Sequence, residues 1–318
     1  MAADRPGQIT DPVAFHGEGP VWSPDWGGLR CVDLLAGDVL AVDTTSGAVR
    51  RDHVGAVAAA LRPRAAGGTV LALERGFALI DPADPDGPTD PAGSDGQAGP
   101  EDSAGSEDPA GLTAGVRRYL GDLWDADAGV RMNDGGCDPD GRFYCGSMAY
   151  AETAGAGSLY RLAPDGTVSV VLTGVTVSNG LAWSPDGARA YYVDSPTSRV
   201  DVFDYDSERG LSNRRTLLTV SADGGAPDGL TVDADGYLWV ALWGGGAVRR
   251  YSPAGRLDGI VPLPVPRVTA CTFGGDRLDT LYITTSQVGT DLTRYPAAGA
   301  VFALAPGVRG QPVQPFTG

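Results

Sequence analysis

The chain repeats itself, and a repeat of about 40 to 50 residues restricts the fold more sharply than any property of composition. Each copy has a polar start, a short apolar strand, an Asp-Gly or Gly-Gly turn, and a second strand rich in aromatic and β-branched residues. The clearest copies are NDGGCDPDGRFYCGSM (133–148), NGLAWSPDGARAYYVDS (179–195) and DGLTVDADGYLWVALW (228–243). Their turn aspartates, Asp140, Asp186 and Asp235, lie 46 and 49 residues apart. Weaker copies are EGPVWSPDWGGLRCVDL with Asp25, AAALRPRAAGGTVLALE turning near Gly67, and TACTFGGDRLDTLYITT turning near Asp276.

Six units result. Between the clear hairpins lie further pairs of short strands, such as GSLYRLAPDGTVSVVL and GAVRRYSPAGRLDGIVPL. Four short strands per unit describe a propeller blade. The expected fold is therefore all-β, a six-bladed β-propeller spanning 1–318 as one domain, with few helices. A β-sandwich or solenoid accounts less well for six units separated by full second hairpins.

One segment breaks the period. Residues 82–111 are mostly Asp, Pro, Gly, Ser and Ala with hardly any large apolar side chain. Such a stretch cannot bury enough surface to offset the entropy of ordering, so it reads as a disordered acidic insertion between two strands. Residues 81–110 carry nine acids and no base, against a net charge of −16 for the chain. Without them the remainder is at −7, ordinary for a soluble domain. All 24 basic residues are arginine. This balance argues against nucleic acid or an anionic membrane as partner. No run of eighteen apolar residues occurs, and Met1 to Pro12 lacks the basic and apolar parts of a signal peptide. A cytoplasmic protein, monomeric or weakly oligomeric, is the expectation. Cys31, Cys137, Cys145 and Cys271 then read as reduced, buried, small hydrophobes, with a close approach of Cys137 and Cys145 across one hairpin as the alternative.

Alignment of the repeats locates a site. Seven residues before the turn aspartate stand Glu18, Asn133, Asn179 and Asp228; the other two units give Ala60 and Thr269. Equivalent positions at the start of a propeller's innermost strands ring one mouth of its channel. Asn-Gly and Asp-Gly pairs are common in turns, which is the bland reading of each residue alone. It does not explain Glu18, or four positions in register. Carboxylates with amide oxygens make a hard-oxygen site for one divalent cation: Ca²⁺, Mg²⁺ or Mn²⁺, with Zn²⁺ and Fe²⁺ admissible. His16 and His53 read as surface or packing residues, His16 near the mouth. Asp194 is a candidate channel residue. Trp243 reads as lying near the mouth or packing between blades, and Trp22, Trp183 and Trp239 as blade packing.

GEGPVW (17–22), RMNDGGCDPDGRFYCGSM (131–148), SNGLAWSPDG (178–187), YYVDS (191–195), PDGLTVDADGYLWVA (227–241) and CTFGG (271–275) together resemble the gluconolactonase, regucalcin and luciferin-regenerating-enzyme family. The resemblance implies a six-bladed propeller and hydrolysis of sugar lactones to aldonic acids. It implies that Glu18, Asn179 and Asp228 hold the metal and that Arg131 and Asn133 contact the substrate. Asp228, as an acid at the metal, is then also the candidate to take a proton from the attacking water. Another metal-dependent ester or organophosphate hydrolase, or a calcium-binding propeller without catalysis, stays open beside it. One departure matters: some members carry a substrate-contacting acid three residues after the methionine of the GSM-like motif, where this chain has Ala151 between Tyr150 and Glu152.

Overall fold

The structure, a computed structural model, describes residues 5–82 and 117–318. The expectation for the acidic insertion falls almost wholly on 83–116, outside the described residues. Elsewhere the blade reading holds. Among the described residues, twenty-four strands form six four-stranded antiparallel sheets. Blade 1 runs Gly17–Ser23, Gly28–Asp33, Asp38–Val42 and Val49–His53. Blades 2 to 5 follow the same order, starting from inner strands Ala58–Pro63, Val130–Cys137, Ser178–Trp183 and Ala226–Val232. Blade 6 starts at Val268–Gly274, and its outermost strand is Gly7–Gln8, which pairs with Phe302–Leu304. The ring is thus closed by hydrogen bonds between its two ends. That strand is too short to show a period in sequence.

The inner strands contact one another in an unbroken ring. Their backbones approach closely: a Cβ on Gly180 would lie 2.7 Å from Leu230 N and 2.8 Å from Asp228 O. Outside them, aromatic residues fill the spaces between blades. Trp22 stacks on Tyr282 at 5.7 Å, Trp183 packs on Tyr144 at 5.5 Å, and Trp239 meets Phe273 edge-on at 5.6 Å. Each pair joins neighbouring blades, as expected for these tryptophans. Among the described residues there is no α-helix, only three single 3₁₀ turns, and no helix is long and apolar enough to cross a membrane.

The four cysteines are free and buried. Cys145 lies opposite Gly135 and Cys137 opposite Phe143, so the strand register keeps the two thiols off one another.

Every inner strand carries the same irregularity. Pairing with the second strand slips by one residue between Glu18 and Val21, Ala58 and Ala60, Met132 and Gly135, Ser178 and Leu181, Pro227 and Leu230, and Val268 and Ala270. These are β-bulges, which turn a side chain out of the alternating pattern. Asn179-Gly180 and Asp228-Gly229 sit in these bulges, within strands and not in turns.

Candidate metal centre

The bulges direct their side chains to one end of the channel. Glu18, Asn179 and Asp228, together with Arg131 and Asn133, line a single cavity of about 530 Å³. All five are buried, at 4 to 7 % exposure. The remaining ring positions close the circle without donors: Ala60 is buried, and Thr269 gives its hydroxyl hydrogen to Gly17 O at 2.6 Å.

A directed chain of hydrogen bonds orients the amides. Arg131 Nη1 donates to Asn133 Oδ1 at 2.6 Å, and Asn133 Nδ2 donates to Asn179 Oδ1 at 3.0 Å and to Ser178 O at 2.7 Å. Asn179 Nδ2 donates to Ser195 Oγ at 2.7 Å, and Ser195 donates onward to Pro227 O, also at 2.7 Å. The chain crosses blades 3, 4 and 5 and ends beside Asp228. It leaves Asn179 Oδ1 with a second lone pair for a cation.

Charge in the cavity is unbalanced. Glu18 Oε2 accepts from the amide of Gly19 at 3.0 Å. Burial, then repulsion from Asp134, pushes the Glu18 carboxyl up to about 8 in spite of Gly19 and Arg131. Burial, then Glu18 and Asp134, raises Asp228 well above the ordinary carboxylate range. A site with two crowded, buried carboxylates and an oriented amide oxygen fits a hard divalent cation. Among the described residues no three His, Cys, Asp or Glu side chains gather as a metal-binding group. The oxygen donors of the predicted ligand set are two carboxylates and one side-chain amide.

Two neighbours, Asp134 and Ser195, were not marked by sequence. Asp134, next to Asn133, is buried with a raised pKa and adds to the negative field. Ser195 lies at the end of YYVDS, but its part depends on a carbonyl of the next blade. His16 lines the cavity; its Nδ1 lies 2.8 Å from Ser286 Oγ, and burial, then Arg131, lowers its pKa to about 3. Trp243 is on the cavity wall, edge-on to His16 at 5.7 Å. His53 is a surface residue bonded to Asp38.

Asp194 differs from expectation. Its carboxylate accepts from the amides of Thr176 and Val177, at 3.2 and 2.9 Å, and is not on the cavity wall. It fastens the segment that leads into the inner strand of blade 4. Asp33 does the same in blade 1, accepting from Phe15 N and His16 N. At the departure noted above, Ala151 is off the wall, whereas Tyr150 and Glu152 are on it. Glu152 reaches it from a left-handed backbone, φ 52°.

Comparison with known proteins agrees with the family resemblance and with the propeller fold. Residues 16–287 match the family model described as SMP-30/Gluconolactonase/LRE-like region. Regucalcin from Gallus gallus is 35% identical over 313 residues, covering 95% of each chain. In structure, a calcium-binding protein, regucalcin, from Agrobacterium tumefaciens superposes with TM-score 0.83 at 25% identity, covering 98% of this chain and 97% of that one. A luciferin-regenerating enzyme gives 0.82 at 27%, covering 98% and 99%. The chain belongs to the SMP-30/gluconolactonase/LRE-like family.

Proposed function

We propose that the chain is a metal-dependent lactonase, a hydrolase that opens lactone rings, with aldonolactone to aldonic acid as the reference reaction of its family. The observation that carries this is the convergence of Glu18, Asn179 and Asp228 with Arg131 and Asn133 in one cavity. Glu18, Asp228 and Asn179 Oδ1 would hold the cation. When bound, a divalent cation polarises the lactone carbonyl and offsets the charge of the tetrahedral intermediate.

The chain's own residues supply the rest. Arg131 keeps donors beyond the two bonds of its Nη1 and binds substrate oxygen from blade 3. Asn133, locked between Arg131 and Asn179, fixes the distance from substrate pocket to metal ligand. Asp228, a buried carboxylate on the same cavity wall, is the group that takes a proton from the attacking water and returns it to the ring oxygen as the carbon–oxygen bond breaks.

A calcium-binding propeller without catalysis is the second reading, favoured by the description of the Agrobacterium neighbour as calcium-binding. Hydrolysis of a lactone panel with and without chelator separates the two. Chelator-sensitive turnover supports the lactonase; calcium binding with no turnover of any lactone or ester supports the second.

A further inference from the structure

We infer that the lactone this cavity prefers carries an apolar substituent in place of a sugar's hydroxyls; the inference rests on the lactonase reading. Hydrogen-bonding and apolar groups share the cavity wall. Arg131, Asn133 and Glu152 place hydrogen-bonding groups on blade 3. Round the rest of the circumference Leu35, Pro196, Ala226, Trp243 and Val288 give an apolar side, joined to blade 3 by Val177, which bridges to Met148.

Trp243 gives this side a fixed platform. The Arg267 guanidinium lies over its ring at 4.5 Å, and His16 meets it edge-on. A half-buried indole held on two sides loses little freedom when a ligand covers it, so apolar contact there is gained at small entropic cost.

On this part of the wall Ser195 is already engaged with Asn179 and Pro227, and His16 Nδ1 with Ser286. A polyhydroxylated ring would bury hydroxyls along Trp243 and Val288 without partners, and each unpaired buried polar group is unfavourable. An alkyl or aryl chain in the same place displaces water from apolar surface. The substrate then lies with its carbonyl toward Glu18, Asn179 and Asp228, its ring against Arg131, and its substituent along Trp243.

The test is kcat/KM of the metal-loaded protein for γ-butyrolactone, a series of γ-alkyl-γ-lactones of growing chain, and D-glucono-δ-lactone. The expected result is a rise of up to about fourfold for each methylene that reaches the wall, with long-chain lactones above gluconolactone. Trp243→Ala and Val288→Ser should each flatten the rise relative to γ-butyrolactone, the two variants guarding against one that fails to fold. Gluconolactone turned over faster than every alkyl lactone, with no dependence on chain length, overturns the inference and leaves the lactonase reading standing. Turnover of no lactone at all overturns both.

Discussion

The side-chain amide of Asn179 donates to the hydroxyl of Ser195 at 2.7 Å. Because Ser195 gives its own proton to Pro227 O, it meets Asn179 only as an acceptor. With the bond that Asn133 Nδ2 donates to Asn179 Oδ1, this bond fixes which end of the Asn179 amide is oxygen and which is nitrogen.

Removing the hydroxyl should therefore act on the metal before the fold. Groups that orient a ligand typically change metal affinity about 10- to 100-fold when lost. Ser195→Ala is expected to raise the Kd for Ca²⁺ by about that factor, and to shrink the Ca²⁺-induced rise in Tm, with the metal-free Tm little changed. Ser195→Thr, which keeps the hydroxyl, should restore both. Calorimetric titration showing equal affinity for wild type and Ser195→Ala would remove this role.

Gly180 follows Asn179 and faces the backbone of Asp228 and Leu230. Backbone cannot move aside as a flexible side chain can. Gly180→Ala should force the inner strands of blades 4 and 5 apart, destabilising by about 1–3 kcal/mol and weakening metal binding together. Chemical denaturation and metal titration read the two effects; a variant of wild-type stability and affinity would show that the strands have room.

The metal-free protein should lose stability as pH rises toward 8. Glu18 has a folded-state pKa of about 8 against an ordinary 4.5, and Asp228 is raised in the same direction. Between those values the folded chain holds protons that the unfolded chain has released, so raising pH favours unfolding. His16, depressed to about 3 from 6.5, destabilises only as pH falls below 6.5. The interval from 6.5 to about 8 thus isolates the carboxylates. In chelator, Tm should fall across it; with saturating Ca²⁺ the fall should vanish, because the cation stabilises the ionised form. A flat or rising Tm in chelator contradicts the electrostatics described here.

Asp228→Asn keeps the size and an oxygen donor but cannot take a proton. It should fold, as judged by circular dichroism, and lose lactonase activity by at least about 100-fold in kcat. Activity near wild type on a confirmed lactone would show that Asp228 is only a ligand.

The ring of donors was legible because the blades repeat down to the bulge. Each inner strand has the same one-residue slip between donor and turn, so counting seven residues back from Asp25, Asp140, Asp186 and Asp235 reached equivalent places in space. Ser195 was not legible, because its acceptor, Pro227 O, lies 32 residues away on another blade. Asp194 was misplaced for a related reason. Its position beside the ring suggested the channel, but its carboxylate is turned back to the amides of Thr176 and Val177. Trp243 could not be assigned between packing and the cavity by pattern alone. Its place on the wall follows from the contacts with Arg267 and His16.

Lactone hydrolysis by metal-stripped protein, reloaded with one cation at a time, tests the central claim most directly. Stripped protein should be inactive, and Ca²⁺, Mg²⁺, Mn²⁺, Zn²⁺ or Fe²⁺ should restore turnover, with Glu18→Gln requiring more metal than wild type. Turnover that survives stripping unchanged, or that no cation restores, would contradict a metal-dependent lactonase.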